Sequence, residues 1–392
     1  MVDIKEKAAQ TNPESHLGSL TETIHAIRKE QYQSLSFESC RSWPHRIWRE
    51  TARAIIKKHL RYNPLPVELD LNVEATEKRD GYEWKRVSFA TASHTRVPAF
   101  LLMPSIGKPP YPGILALHDH GEFLYFGKEK IVSSSQEHSF LKKWREQYYE
   151  SRAYAEELAR RGYVVLVIDA FYFSERRLQF EKMPSDISEK LSSFSPSSEE
   201  YVSIWNDLYL ERKSSLNTML GFCGTTWLGI IVHDDCKSID LLQSIPEVDP
   251  ERIGALGLSM GGYRTGHLIG MDDRIKAAII VGWMTEIADL VKINQPVHVG
   301  LMIAEGVYSH LDYPDIVSLA APECALNVYN CGQDQIFTFS GMKQASEKIH
   351  HVYEELEAAD RYAYKFFDVP HQFNIKMQEE AFEWLDHWLK SS

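Results

Sequence analysis

Cysteines are few in this sequence of 392 residues, and long apolar runs are missing from it. The five cysteines are scattered and include no C-x-x-C pair, so neither a disulfide framework nor a thiolate zinc site is expected. No apolar run approaches the roughly 20 residues that cross a bilayer. The N-terminal residues 1–16 also lack the apolar core of a signal peptide. We therefore expect a soluble, cytoplasmic protein that has no membrane partner.

Positive charge is also in short supply. Lys and Arg total 43 against 55 Asp and Glu, which gives a formal net charge of -12 that is spread along the chain. Such a chain is a poor match for the phosphate backbone, so we expect no nucleic-acid partner. The composition is otherwise ordinary for a globular protein, with 44% hydrophobic residues, and the length suits one large domain with additions.

The first 80 residues are predicted to form a helical N-terminal extension. Apolar residues recur at helical spacing among charges from Leu20 to Leu60, and Pro64 and Pro66 then break the pattern. Residues 81–392 are predicted to form the main domain.

Strands and helices alternate through this second region. The predicted strands are Lys85–Thr91, Val97–Met103, Gly113–Leu117, Tyr163–Ile168, Arg252–Leu258, Ala277–Trp283, Ala325–Cys331 and Ala363–Val369. The predicted helices are Phe140–Arg161, Trp227–Ser244, Gly262–Met271, Met342–Ala359 and Glu379–Leu389. This alternation is typical of an α/β fold, and we predict a mostly parallel sheet of about eight strands with helices on both faces. Residues 171–226 do not fit the alternation, and their aromatic residues favour an ordered cap near the site.

A nucleophile is predicted at Ser259. The segment Gly257-Leu258-Ser259-Met260-Gly261 has the G-x-S-x-G pattern and stands between a predicted strand and a predicted helix. The tight turn forces the serine into a strained conformation, and small neighbours are needed because other backbone approaches closely. The alternative interpretation is a glycine-rich turn with a surface serine, which the strand and helix on either side make weaker.

A serine needs a base, and the base needs an orienting acid. His371 follows a predicted strand in the short loop Pro370–Phe373, and Asp334 follows the preceding strand in a turn. Active-site residues of parallel sheets lie at these carboxyl ends. Asp334 has an alternative role as an Asx-turn residue. Weaker rivals lie inside predicted helices or away from strand ends: His350, His351, His387, Asp312, Asp315 and Glu305.

From Glu83 to the C-terminus, the chain resembles the dienelactone-hydrolase and acyl-esterase branch of the α/β-hydrolase superfamily. The resemblance is carried by six features: His118-Asp119-His120-Gly121, Asp169, Pro246-Glu247-Val248-Asp249, Gly257–Gly262, Gly332–Asp334 and Pro370–Phe373. It implies the α/β-hydrolase fold with Ser259, Asp334 and His371 as the catalytic triad.

The same resemblance implies an oxyanion hole made by the backbone N–H groups of His120 and Met260. The sequence has Asp119 where glycine is common in the family, which leaves the backbone conformation at His120 open. His118 and His120 also form a His-x-His pair, which begins the metal site of another hydrolase class. The Asp-His pair which that motif requires next is absent, so no metal and no cofactor are expected.

Several side chains are candidates for the substrate pocket. Phe123, with Lys128 and Lys130 beyond it, follows the predicted oxyanion loop, and Phe171 and Arg176 follow the next strand. Arg176 suits a substrate carboxylate, but an ion pair with a nearby glutamate explains it equally well.

These residues predict a serine hydrolase that cleaves a carboxylic ester or lactone, a small-molecule substrate, through an acyl-enzyme. A peptidase or amidase with the same triad is the main alternative, because both classes share the mechanism. A non-catalytic binding module and a metal-dependent hydrolase are weaker alternatives. A homo-oligomeric state stays open.

Overall fold

A nine-stranded sheet forms the centre of the protein, which we describe from a computed structural model covering residues 18–31, 33–134, 137–183, 185–292 and 302–390. The strands are β1 (Asn72–Arg79), β2 (Tyr82–Ala92), β3 (Thr95–Pro104), β4 (Tyr111–Leu117), β5 (Val164–Ile168), β6 (Val248–Leu258), β7 (Ile275–Val281), β8 (Ala325–Cys331) and β9 (Tyr362–Phe367). Their order is β1-β2-β3-β5-β4-β6-β7-β8-β9. The pairs β1–β2, β2–β3 and β3–β5 are antiparallel. The pairs β5–β4, β4–β6, β6–β7, β7–β8 and β8–β9 are parallel. The predicted mostly parallel α/β sheet is confirmed.

Helices cover both faces of this sheet. They are α1 (Thr21–Glu30), α2 (His45–Leu60), α3 (Ser139–Tyr149), α4 (Tyr154–Arg160), α5 (Ser185–Ser192), α6 (Glu199–Phe222), α7 (Trp227–Ser244), α8 (Met260–Met271), α9 (Ile287–Lys292), α10 (Tyr313–Ser318), α11 (Phe339–Glu355) and α12 (Ile375–Lys390). One apolar core contains α2, α7, α8, α10 and α11. The other contains α4, α12 and the end of α3. Every residue of β5 and β8 is buried between these layers. The sequence of β5 is accordingly a continuous apolar run, whereas β8 also buries Asn327 and Asn330.

The N-terminal region is less purely helical than predicted. Helix α2 buries Trp48, Ala52, Ile56 and Leu60 against the core, but β1 lies inside the stretch 1–80 and pairs with β2. Seven of the eight residues of β1 are exposed and one is partly buried, so this edge strand has no apolar alternation in its sequence. Residues 1–17 of the predicted extension lie outside the described residues.

The single helix predicted over 140–161 is wrong. The chain forms α3 and α4 instead, and Glu150 and Ser151 between them adopt left-handed φ angles of 48° and 66°. No helix continues through two such residues.

The insertion 171–226 contains α5 and α6. The first half of α6 is anchored by aromatic side chains: the ring of Trp205 lies 5.5 Å from that of Tyr125 and 5.4 Å from that of Phe180. Asn206 Oδ1 also accepts a hydrogen bond from the Leu124 amide at 3.2 Å, which ties α6 to the loop after β4. Among the described residues no single helix is long and apolar enough to span a membrane; α6 and α7 meet the length and composition criteria only as a pair bent by 77°.

Candidate active site

Ser259 stands at the sharp turn between β6 and α8. Its φ is 59° and its ψ is -121°, a left-handed conformation that is rare for residues other than glycine. A Cβ atom at Gly257 would lie 2.6 Å from the Leu117 carbonyl oxygen, and one at Gly261 only 2.2 Å from it. The Ser259 amide donates to the Val281 carbonyl at 2.8 Å, so the turn is fixed between β4 and β7. The flanking glycines are therefore required by close backbone contact.

His371 and Asp334 meet at the carboxyl ends of β8 and β9. The Nδ1 atom of His371 lies 2.6 Å from Oδ2 of Asp334, whose other oxygen accepts the Ile336 amide at 2.8 Å. The Asp334 side chain is fully buried. The Nε2 atom of His371 is buried and has no hydrogen-bond partner among the described residues, Ser259 included. Catalytic hydrogen bonds of this kind commonly tighten only when substrate binds.

Gly282 lies between the Ser259 turn and the His371 ring. It follows Val281, whose carbonyl binds the Ser259 amide, and its own amide donates to the Tyr329 carbonyl at 2.8 Å. A Cβ atom at Gly282 would lie 3.1 Å from Cε1 of the His371 ring, and its φ is +58°. The imidazole therefore occupies the space that a side chain at this position would need.

If His371 is the base of the reaction, Gly282→Ala is expected to lower kcat by about tenfold or more, because a small displacement of a reacting group is costly. The left-handed backbone adds about 1–2 kcal/mol of destabilisation. Gly224→Ala is the matched control, since Gly224 has a φ of +76° but no atom within 4 Å of its Cβ position. Steady-state kinetics and thermal unfolding of both variants separate the two effects, and equal kcat values would contradict the account.

The charge of Asp334 governs the protonation of His371. Burial works against the imidazolium, but the charge and hydrogen bond of Asp334, with a smaller contribution from Asp119, raise the pKa of His371 above its ordinary 6.5. Only the neutral ring can accept a proton. Any reaction that uses His371 as a base is therefore expected to weaken as the pH falls through this raised pKa.

The loop after β4 is braced by His118. Its Nε2 accepts a hydrogen bond from the Ala170 amide at 3.2 Å, and so its Nδ1 carries the proton and donates to the Asp119 carbonyl at 2.9 Å. Burial, with the positive charges of Arg264 and Lys130, holds the pKa of His118 well below 6.5 and keeps the ring neutral. Both ring nitrogens are thus engaged by backbone groups.

His120 has a similar local role, because its Nδ1 accepts the Glu122 amide at 2.9 Å and its ring packs edge-on against Phe173. The predicted second oxyanion donor, Met260, is the first residue of α8 and is buried. N–H groups in the first turn of a helix have no acceptor within the helix. The Met260 amide is thus at a position suited to an anion.

Asp119 is a buried anchor of this loop. Its carboxylate accepts hydrogen bonds from Tyr149 Oη at 2.5 Å, from Trp144 Nε1 at 3.3 Å and from Lys130 Nζ at 3.2 Å. A Cβ atom at Gly121 would lie 2.2 Å from the Trp144 ring. The Trp144 indole therefore bonds to the Asp119 carboxylate and occupies the space that a side chain at Gly121 would need.

The three predicted pocket residues are differently placed. Phe123 is buried and stacks on Trp144 with ring centroids 5.2 Å apart, and Phe171 stacks on Tyr172 at 4.3 Å. Arg176 is bound to protein groups: its Nη1 donates to Asp234 at 2.8 Å, with 5% of the arginine side chain exposed. The ion pair foreseen as the alternative for Arg176 is present, but with an aspartate 58 positions away in place of a nearby glutamate.

The side chains of Lys128 and Lys130 are fully buried and bonded to protein groups. The Lys128 ammonium contacts Asp169 at 2.6 Å, Glu175 at 2.6 Å and Glu129 at 3.0 Å. These carboxylates lie close enough to one another to hold a metal ion, yet the ammonium already bonds to all of them. Burial disfavours the charged amine, but the three carboxylates outweigh it and raise the pKa of Lys128.

Gly282 was missed from the sequence, where its only signal is its position directly after a buried strand. Lys130 was considered only as a pocket residue, and nothing in the sequence signals that its Nζ atom contacts the Asp119 and His120 carbonyls. Both depend on segments that are far apart in the chain.

Comparisons with known proteins agree with this architecture. No family model matches the chain. The protein named "Putative hydrolase YtaP" from Bacillus subtilis (strain 168) is 25% identical over 297 residues, which cover 76% of this chain and 85% of that protein.

Solved structures extend the likeness at low identity. A "putative acetyl xylan esterase" from Bacteroides fragilis NCTC 9343 superposes with a TM-score of 0.66 at 14% identity, covering 91% of this chain and 87% of the other. A glucuronoyl esterase from Solibacter usitatus superposes with a TM-score of 0.59 at 14% identity, covering 90% and 93%. None of these proteins is named a dienelactone hydrolase, so that finer branch stays a prediction. The sheet order, the turn at Ser259 and these structural likenesses together establish that the chain has the α/β-hydrolase fold.

Proposed function

We propose that this protein is a serine hydrolase that cleaves a carboxylic ester through an acyl-enzyme. The observation that carries the proposal is the strained Ser259 turn beside a paired His371 and Asp334 at neighbouring strand ends. A left-handed serine held between two obligatory glycines is costly to fold, and such strain is characteristic of functional sites.

In the proposed reaction, Ser259 Oγ attacks the acyl carbon while His371 Nε2 takes its proton. Asp334 holds the proton on Nδ1 and stabilises the imidazolium, and the N–H groups of Met260 and His120 bind the oxyanion. His371 then protonates the leaving alcohol. In the second half, His371 takes a proton from water, the hydroxide attacks the acyl-enzyme, and Ser259 leaves with the proton returned to it.

The names of the similar proteins support an ester as the bond that is cleaved. Acetyl xylan and glucuronoyl esterases both act on esters, and YtaP is named a hydrolase. A lactone is an internal ester and follows the same steps. A location in the cytoplasm and the absence of membrane and nucleic-acid partners stay predictions.

A substrate panel tests the proposal. Wild type and Ser259→Ala are assayed on p-nitrophenyl esters of rising chain length, acetylated sugars, lactones and aminoacyl anilides. We expect turnover of at least one ester by the wild type and none by the variant. Turnover confined to the anilides would replace the esterase by a peptidase or amidase, and equal turnover by both proteins would refute a serine mechanism.

Metal independence is a further expected outcome. Because both nitrogens of His118 are bound to backbone groups, activity should survive a strong chelator. His120→Ala should keep far more activity than Ser259→Ala, since a backbone donor remains when the ring is removed. Loss of activity in EDTA that zinc restores, together with an active Ser259→Ala protein, would identify a metal-dependent hydrolase instead.

A further inference from the structure

Lys130 is a fully buried lysine that lies behind the loop after β4. Its Nζ atom is 2.9 Å from the His120 carbonyl oxygen, 3.1 Å from the Asp119 carbonyl oxygen and 3.2 Å from Asp119 Oδ2. An ammonium group has three N–H donors, and here it has three oxygen acceptors. All of its hydrogen bonds are therefore made to this one loop.

Aromatic rings surround the same ammonium. The Nζ atom lies 4.6 Å from the ring centroid of Trp144, 5.4 Å from that of Phe173 and 5.8 Å from that of Phe123. A cation removed from water is costly unless its donors are satisfied, and ring faces recover only part of the lost hydration. The bonds from Lys130 to the loop are thus what makes the buried charge tolerable.

These bonds fix the direction of the His120 N–H. The cis peptides of the described residues are Pro109-Pro110 and Ala321-Pro322, so the Asp119-His120 peptide is trans and its N–H points away from its C=O. That C=O receives donors from both Lys130 Nζ and His118 Nδ1. The next carbonyl, that of His120, receives Lys130 Nζ and the Phe123 amide. Two consecutive peptide planes are held by the same ammonium.

We propose that Lys130 is a positioning residue for the oxyanion hole, an inference that rests on the function proposed above. By holding the Asp119 and His120 carbonyls on its own side of the loop, it directs the His120 N–H to the opposite side, where the reaction needs a donor. The lysine does not touch the substrate.

A purely structural role for Lys130, as the ion-pair partner of Asp119, would give a different result. Tyr149→Phe provides the matched control, because in the described hydrogen bonds the Tyr149 hydroxyl donates to the Asp119 carboxylate and to neither the Asp119 nor the His120 carbonyl. Both changes disturb the same buried aspartate, but only loss of the lysine also removes a hydrogen bond from each of the two peptide carbonyls.

The test compares wild type, Lys130→Met, Lys130→Arg and Tyr149→Phe on the p-nitrophenyl ester that the wild type cleaves best. Phenylboronic acid serves as a tetrahedral probe that bonds to Ser259 and occupies the oxyanion hole. We expect Lys130→Met to lower kcat by roughly 10- to 1000-fold with KM within about threefold, and to weaken boronate inhibition in parallel. Tyr149→Phe should lower the unfolding temperature but keep kcat within about threefold.

Lys130→Arg carries the test if Lys130→Met does not fold. The planar guanidinium keeps the charge, but none of its nitrogens carries three N–H donors, so it cannot reproduce the three bonds of the Lys130 ammonium. We expect kcat and boronate affinity to fall together by about tenfold or more. Wild-type kcat in the folded Lys130 variant, or a lower kcat with unchanged boronate inhibition, would overturn the inference. An active Ser259→Ala protein would instead overturn the proposed function itself.

Discussion

Ser259→Ala is expected to lower kcat/KM for ester hydrolysis by at least about a thousandfold, since loss of a triad nucleophile costs several orders of magnitude. The Ser259 side chain contributes little to packing, because the turn is fixed by backbone contacts: the Ser259 amide to Val281, and the glycines at 257 and 261 against Leu117. The variant should therefore unfold at nearly the wild-type temperature. Steady-state kinetics and thermal unfolding monitored by circular dichroism measure the two quantities.

Ser244→Ala is the control for this experiment. Its hydroxyl donates to the Leu241 carbonyl at the end of α7. Ser244 comes just before β6 and Ser259 just after it, so the two serines lie at opposite ends of this strand. Its kcat/KM should match the wild type. A Ser259→Ala protein that keeps more than about a hundredth of wild-type activity would show that another group is the nucleophile.

Asp334→Asn is expected to lower kcat by on the order of a thousand- to ten-thousandfold, because the amide no longer holds the proton on His371 Nδ1. The pH profile should change as well. Asp334 is the main influence that raises the pKa of His371, and without it burial dominates and lowers that pKa. The acid limb of the residual kcat/KM should therefore move to lower pH, while the wild-type limb lies above the ordinary 6.5 of histidine.

Asp368→Asn is the matched control, since Asp368 is an exposed carboxylate close to the same loops and bonds only to Gln333 in the described hydrogen bonds. It should leave both kcat and the acid limb unchanged. An Asp334→Asn protein with a near-normal rate, or with an acid limb at higher pH, would mean that Asp334 is not the residue that orients the base.

Local motifs explain why much of this site could be predicted from sequence. The turn at Ser259 is specified by five consecutive residues whose steric requirements are short in range. Asp334 and His371 are predictable because each lies just after a predicted strand, and the carboxyl ends of parallel strands converge. These predictions needed no knowledge of distant contacts.

The buried ion pairs of Lys130 and Arg176 depend on tertiary contacts, and the sequence pattern does not indicate them. Lys130 and Asp119 are 11 positions apart, and Arg176 and Asp234 are 58 positions apart. These ion pairs form only in the folded chain, so the sequence pattern does not predict them. Their burial also reverses the expectation from composition, under which lysine and arginine residues lie at the surface.

The errors in secondary structure have equally specific causes. The strand β1 is an exposed edge strand, so its sequence has no apolar face to detect. The break between α3 and α4 lies at Glu150 and Ser151, which adopt left-handed backbone although neither is a glycine or a proline, the residues that most strongly mark a helix end in a sequence. Apolar residues continue across the break because the end of α3 and the whole of α4 contribute to one apolar core.

The most direct test of the central claim is to map the site at which a fluorophosphonate probe reacts with the native protein, by mass spectrometry of its peptides. The account predicts one covalent adduct per chain, on Ser259, with loss of esterase activity in proportion to labelling. Asp334→Asn should label much more slowly, and heat-unfolded protein should not label at all. An adduct on a different residue, or undiminished ester hydrolysis by protein fully labelled at Ser259, would contradict the account.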